Sequence, residues 1–284
     1  RLDAMVGQVD AVIQSGYKGS FWSLELVRPY LEAGIPTYID RPGAYSLERI
    51  RELTSLAAKH NCPLMVSNNH EHNRAVELLQ ARAKALGPLT GLLADSMSDR
   101  DMLHFSMHCI HGWFMLYPLL AGMVRRVRTQ LASDKFPSPV TMMECENPDG
   151  SPFTATLIRH RAVHRGFVKL FGREGTYDGT VYPPATYRLK QALGRQQLAN
   201  DTREAFDYLL TDFSTPVMTK FERMISVRRM AQSYEQIVEK VQVFLASFRS
   251  MLEGGRAVEV ATLDPKWTAP NPYPGYFAGG YFKN

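Results

Sequence analysis

The stretch Leu31-Glu-Ala-Gly-Ile-Pro-Thr-Tyr-Ile-Asp-Arg-Pro42 contains the end of a helix, a stop, a strand and a break. Phe21 to Ala33 has helical periodicity and Gly34 stops it. Ile35 to Ile39 is then rich in β-branched and aromatic residues, and Asp40-Arg41-Pro42-Gly43 breaks the strand. The pattern repeats on either side. Upstream, Val9-Asp-Ala-Val-Ile-Gln14 is a short apolar strand with Ser15-Gly16 as its turn. Downstream, Ser46 opens a capping pattern, Ile50, Leu53, Leu56 and Ala57 carry a helix to about His60, and Pro63 to Ser67 supplies a third strand. Two successive strand–helix–strand crossovers predict a parallel sheet covered by helices, part of a doubly wound domain over residues 1–72.

After residue 72 the rhythm changes. A helix is predicted from Asn73 to Leu86, a strand from Leu89 to Leu93, and an apolar helix from about Met102 to Ala121. Arg125 to Leu131, Val140 to Glu146, Thr154 to Arg161 and Gly166 to Phe171 read as consecutive antiparallel strands, with Asn147-Pro148-Asp149-Gly150 as a hairpin turn. Helices follow over Glu204 to about Ile225 and Ser233 to Leu252, then a short strand from Ala257 to Val260. The expected organisation is α/β plus α+β: half of a doubly wound domain over 1–72, an α+β domain with an open, mainly antiparallel sheet over 73–262, and a Pro/aromatic tail over 263–284 that wraps a surface or reaches a partner.

Composition excludes several classes. The 284 residues carry 45% hydrophobic content and a net charge of +5 with no long basic block, so disorder, fibrous repeats and a nucleic-acid surface are all unsupported. The longest apolar run, Trp113 to Met123, is about half of the roughly 20 residues a membrane span needs. Cys62, Cys109 and Cys145 are odd in number, lack a CxxC spacing and sit in apolar stretches, which suits buried thiols in a reducing, cytoplasmic compartment.

Two constellations can carry chemistry. His104, His108 and His111 stand four and three residues apart, which puts three of the eight histidines on one face of a helix. A positioned imidazole can move a substrate proton near neutral pH. A metal site ranks below proton transfer, because no adjacent glutamate forms an HExxH pattern and no further ligand sits at metal spacing. The second constellation is Asp40-Arg41-Pro42, where a carboxylate and a guanidinium emerge at the carboxyl edge of a parallel sheet. Ligands bind at that edge in open α/β sheets. An ordinary turn with a solvated ion pair is the plainer alternative.

In order and spacing, these segments resemble the Gfo/Idh/MocA oxidoreductases, two-domain dehydrogenases acting mostly on sugars and cyclitols. Leu31 to Pro42 is similar to the Ala-Leu-x-Ala-Gly-Lys-x-Val-x-x-Glu-Lys-Pro signature, and Val9 to Gly16 resembles the family's fourth strand and its Thr-Pro turn. Leu103 to Gly122 resembles the Asp-x-Gly-x-His-x-x-Asp helix, Phe171-Gly-Arg-Glu-Gly-Thr-Tyr177 a late strand-turn, and Gly254-Gly255-Arg-Ala-Val the close of the second domain.

The resemblance implies NAD or NADP as cofactor and a secondary alcohol or ketone of a sugar-like or cyclitol substrate. It places His108 at the catalytic acid/base, His104 and His111 where the family keeps aspartates, and Arg41 at the lysine of Glu-Lys-Pro. Arg41 stays charged, so it can polarise a carbonyl but not exchange a proton. Ser15, Gly16, Asp40, Arg41 and Pro42 are the implied cofactor contacts, and Asn68, Asn69, His70 and His111 the implied substrate contacts. The open sheet face implies a homodimer or tetramer. No G-x-G-x-x-G turn occurs in the 284 residues, so roughly 70 residues carrying the family's first three strands are expected ahead of Arg1. The alternatives are a catalytically altered or non-catalytic member that binds a ligand or partner, and, more weakly, a metal-assisted hydrolase or lyase using the three histidines.

Overall fold

The computed structural model describes residues 1–16, 19–97, 110–131, 139–160, 167–180 and 214–271. They form two compact units. The first comprises Arg1–Asn68, Met218–Ala246 and the described part of Thr262–Asn284, and the second the described parts of Asn69–Val217 and Ser247–Ala261.

The first unit is built on three parallel strands in the order β1 (Val12–Gln14), β2 (Thr37–Asp40), β3 (Leu64–Ser67). Helix α1 (Ser23–Glu32) follows β1 through a short 3-10 turn at Gly19–Trp22, and α2 (Leu47–Lys59) joins β2 to β3. The expected crossovers are therefore both present. Gly34 ends α1 as expected: it takes a positive φ of 69°, its N–H bonds to Leu31 O, and the N–H of Ile35 bonds to Tyr30 O. An L side chain resists that conformation. Ser46 caps α2 by accepting the Arg49 N–H at 3.3 Å. Leu47, Ile50, Leu53 and Ala57 of α2 are buried, each large side chain worth roughly 1.5–3 kcal/mol. Thr37, Tyr38 and Ile39 of β2 and all four residues of β3 are buried, so these two strands are covered on both faces, while Ile13 of β1 stands exposed. On one face Tyr38 meets Phe221 of α5 (Thr215–Val227), ring centroids 5.6 Å apart.

The tail docks within this unit. The backbone N–H of Glu48 bonds to Pro265 O and that of Ala269 to Tyr45 O, while Thr268 bridges Ser46. The tail thus wraps the start of α2 over 265–269; residues 272–284 lie outside the described residues.

The second unit centres on a seven-stranded sheet in the order β10-β5-β6-β7-β4-β8-β9. Its strands are β4 (Leu89–Met97), β5 (Val124–Leu131), β6 (Pro139–Glu146), β7 (Pro152–His160), β8 (Phe167–Gly172), β9 (Gly175–Thr180) and β10 (Val258–Glu259). Helices α3 (Arg74–Ala85) and α4 (Ile110–Leu120) belong to it, and α6 (Tyr234–Leu252) runs through the boundary at Ala246.

The sheet corrects one sequence expectation. The four strands from β5 to β8 are not all neighbours, because β4 inserts between β7 and β8, parallel to the first and antiparallel to the second. Asn147 of the hairpin turn ties down the start of β4. Its Nδ2 donates to Leu89 O at 2.8 Å and its Oδ1 accepts from Leu89 N at 3.0 Å, so one buried amide pairs with the first residue of β4 as a strand would. β4 also runs on to Met97, beyond the expected Leu93, and β9 is an additional strand.

One sheet face is covered and the other open, as the alternation of β6 records: Thr141, Met143 and Cys145 are buried, while Met142 and Glu144 are exposed. The open face carries cross-strand ion pairs, among them Arg126 with Glu144 and Lys169 with Asp178. Among the described residues no helix is long and apolar enough to cross a membrane.

Candidate functional site

In the first unit the three strands end together at their carboxyl edge, and their following residues are tied to one another. Gln14 closes β1, and its Oε1 lies 3.1 Å from Ser23 Oγ. Ser20 Oγ pairs with Tyr45 Oη at 3.3 Å, and the Phe21 and Tyr45 rings stack at 3.7 Å with 9° between planes. These contacts fasten the start of α1 to the loop after β2. Ser15 and Gly16 are exposed at the head of the first loop.

Asp40 ends β2 with its carboxylate paired to the Arg41 guanidinium, both partly buried, and a cis peptide joins Arg41 to Pro42. The Arg41 backbone N–H donates to Ser67 O at 3.1 Å, and Tyr38 Oη donates to the same carbonyl at 3.3 Å. Ser67 Oγ in turn donates to Asn68 O at 3.3 Å, and Asn68 is buried. The structure therefore brings Asp40, Arg41 and Asn68 to one edge, with Ser67 as the joint. Sequence reading missed Ser67 and Tyr38, whose signal was only that of buried strand residues.

In the second unit, a 3-10 turn at Asn69–His72 buries His70, Glu71 and His72 together. Asn73 follows and caps α3 by accepting the Val76 N–H at 3.0 Å. Asn69 is half-buried and donates to Ser214 Oγ at 3.0 Å. His111, in the first turn of α4, is buried with its ring 4.5 Å from that of His70, edge to face at 66°. Two residues proposed for substrate contact, His70 and His111, thus meet. His104 and His108 lie outside the described residues, as does the alignment of all three helix histidines.

The setting of His111 is fixed by Gly112, the residue after it. A Cβ at Gly112 would fall 2.2 Å from Ser96 Oγ and 2.8 Å from Ser96 Cβ, so only a glycine lets α4 approach β4 this closely. The covered sheet face nearby is polar: Arg159 is buried with Nη1 2.7 Å from Thr141 Oγ1, which joins Thr129 and Ser247 in a hydroxyl cluster. Sequence periodicity flagged none of these. Among the described residues, no three His, Cys, Asp or Glu side chains gather as a metal site would require.

A nicotinamide dinucleotide fits the first unit in part. The carboxyl edge offers an exposed Ser15-Gly16, a guanidinium at Arg41 and a carboxylate at Asp40, groups suited to ribose hydroxyls and a carboxamide. No G-x-G-x-x-G turn of the kind that receives a pyrophosphate occurs in the 284 residues.

Comparison with solved structures identifies the architecture. A probable dehydrogenase from Thermotoga maritima matches over 93% of this chain and 85% of its own, with a TM-score of 0.70 at 16% identity. Scyllo-inositol dehydrogenase from Lactobacillus casei, with bound NAD(H) and scyllo-inositol, matches over 92% and 84%, TM-score 0.65, at 14% identity. The chain shares the fold of these dehydrogenases. A myo-inositol dehydrogenase from Corynebacterium glutamicum shares this fold over 90% of this chain and 81% of its own, TM-score 0.63, at 17% identity. No protein-family model matches the sequence, and comparison with curated proteins finds no match.

Proposed function

We propose that the protein is an NAD(P)-dependent oxidoreductase that interconverts a secondary alcohol and a ketone on a sugar-like or cyclitol substrate. The observation that carries this reading is the fold shared with inositol dehydrogenases over about nine-tenths of the chain. The bound cofactor would accept or return the hydride at its nicotinamide ring. His108 holds or releases the hydroxyl proton, and Arg41 steadies negative charge on the substrate oxygen, since a guanidinium offers donors and cannot deprotonate. His104 acts as the neighbour of His108, and His70 with His111 orients substrate hydroxyls. Ser15, Gly16, Asp40 and Pro42 contact the cofactor, Asn68 and Asn69 the substrate.

Cys62 and Cys145 support a reducing compartment, because both are buried free thiols. The open sheet face, where Met142 stands exposed among ion pairs, is the proposed contact in a homo-oligomer.

Titration of the full-length protein with NADH and NADPH, followed by nicotinamide fluorescence, tests the central claim. Saturable binding of either one is expected. Binding of neither would sink the oxidoreductase reading.

A further inference from the structure

The first unit contains a fully buried lysine. Lys240 of α6 is 0% exposed, and its Nζ lies 2.7 Å from Val66 O and 2.9 Å from Gln232 Oε1. Its place beside β3 follows from the strand order. β3 pairs with β2 along one edge, so alternate carbonyls on its other edge need donors from elsewhere. Side chains from residues 234–240 provide two of them, one just ahead of the strand and one near its end: Tyr234 Oη donates to Cys62 O at 2.8 Å, and Lys240 to Val66 O.

An apolar residue with a backbone donor nearby would hold such an edge at lower cost, because an ammonium taken from water loses several kcal/mol of hydration. What the lysine supplies is orientation. Successive carbonyls of a strand face opposite edges. A donor on Val66 O therefore turns the next carbonyl, Ser67 O, toward β2, where it receives the N–H of Arg41 and the hydroxyl of Tyr38.

We propose that Lys240 is a positioning residue, which by gripping Val66 O holds the Ser67 carbonyl that seats Arg41 at the carboxyl edge of the sheet. The role in cofactor and substrate binding rests on the functional reading above; the role in seating Arg41 does not.

The test has two arms on the full-length protein. The first is residue-resolved amide hydrogen exchange without ligand. Lys240→Met keeps the stem's volume and removes the donor, and the Arg41 amide is expected to exchange roughly tenfold faster while the amides that join β2 to β1 stay within about twofold. Tyr234→Phe, which removes the bond to Cys62 O ahead of β3, leaves the Arg41 amide unchanged. Should Lys240→Met not fold, Gln232→Ala, which removes only one acceptor of the ammonium, is expected to give a several-fold rise at the same amide. An unchanged Arg41 amide, or an equal rise across β2 and β3, overturns the proposal, the latter because it marks a general stabilising role.

The second arm is a double-mutant cycle on NADH affinity. Lys240→Met should weaken binding about tenfold in the parent and less than about twofold in the Arg41→Ala background. Equal losses in both backgrounds overturn action through Arg41. Absence of NADH binding by the parent refutes the functional reading and leaves the exchange arm to decide the positioning role.

Discussion

Replacing Gly112 by alanine sets two known effects against each other. In a helix interior alanine is favoured over glycine by about 1 kcal/mol, so an unobstructed site would gain stability. At Gly112 the new methyl meets Ser96 Oγ at 2.2 Å, Ser96 Cβ at 2.8 Å and Leu157 Cδ1 at 3.2 Å. Rotating Ser96 removes the first contact and leaves the second. Relief of the second requires α4 to move from β4 by roughly 0.7 Å, given a normal carbon–carbon approach of about 3.5 Å. Overpacking of this kind costs about 1–3 kcal/mol, and after the helix gain the expected net loss is about 0–2 kcal/mol. Urea unfolding of the second unit, followed by Trp113 fluorescence, measures it. Ser96→Gly removes both offending atoms, so Gly112→Ala should become neutral or stabilising in that background, whereas Ser96→Ala, which retains the Cβ, should rescue it only in part. A stabilised Gly112→Ala single variant would refute the close approach of α4 to β4.

Three further outcomes are expected. Burial pushes the Cys62 thiol up to about 11 and the Cys145 thiol up to about 12, from 9.0; the unfolded chain therefore loses these protons first, and stability present below pH 9 should fall as pH rises toward 11, by urea midpoints at pH 8 and 10.5. Asn147→Ala strands both backbone groups of Leu89 and should cost about 2–4 kcal/mol in the same unfolding assay. His108→Ala should abolish turnover while retaining NADH binding by fluorescence, and normal turnover would remove His108 from its proposed role.

The local elements were legible because their signals lie within a few residues. Gly34 and Ser46 announce a stop and a cap by their own backbone and side-chain chemistry. The order of strands in the second sheet was not legible, because β4 pairs with β7 and β8 far along the chain and its start is tied to Asn147, 58 positions from Leu89. Asparagine in a turn also satisfies a purely local reading, so its second task leaves no periodic trace. At the candidate site, Asp40-Arg41-Pro42 stood out through its position after a strand and its family resemblance, while Ser67 and Lys240, which hold or face that edge from β3 and α6, look in sequence like an ordinary strand residue and a solvated charge on a helix.

The same contrast bears on where this chain spends its buried polar groups. A lysine without exposure and an arginine at 1% exposure are costly residues to retain if packing alone were at stake. Lys240 is matched to a strand carbonyl beside the residue that seats Arg41, and Arg159 to a hydroxyl cluster on the covered face of the second sheet. His70, Glu71, His72 and Asn73 add four consecutive buried polar residues next to α4. Apolar residues at these positions would give a more stable core, as interiors with polar groups removed in matched pairs often do. What these groups provide is orientation of the backbone and side chains they bond, at a cost that packing alone would not incur.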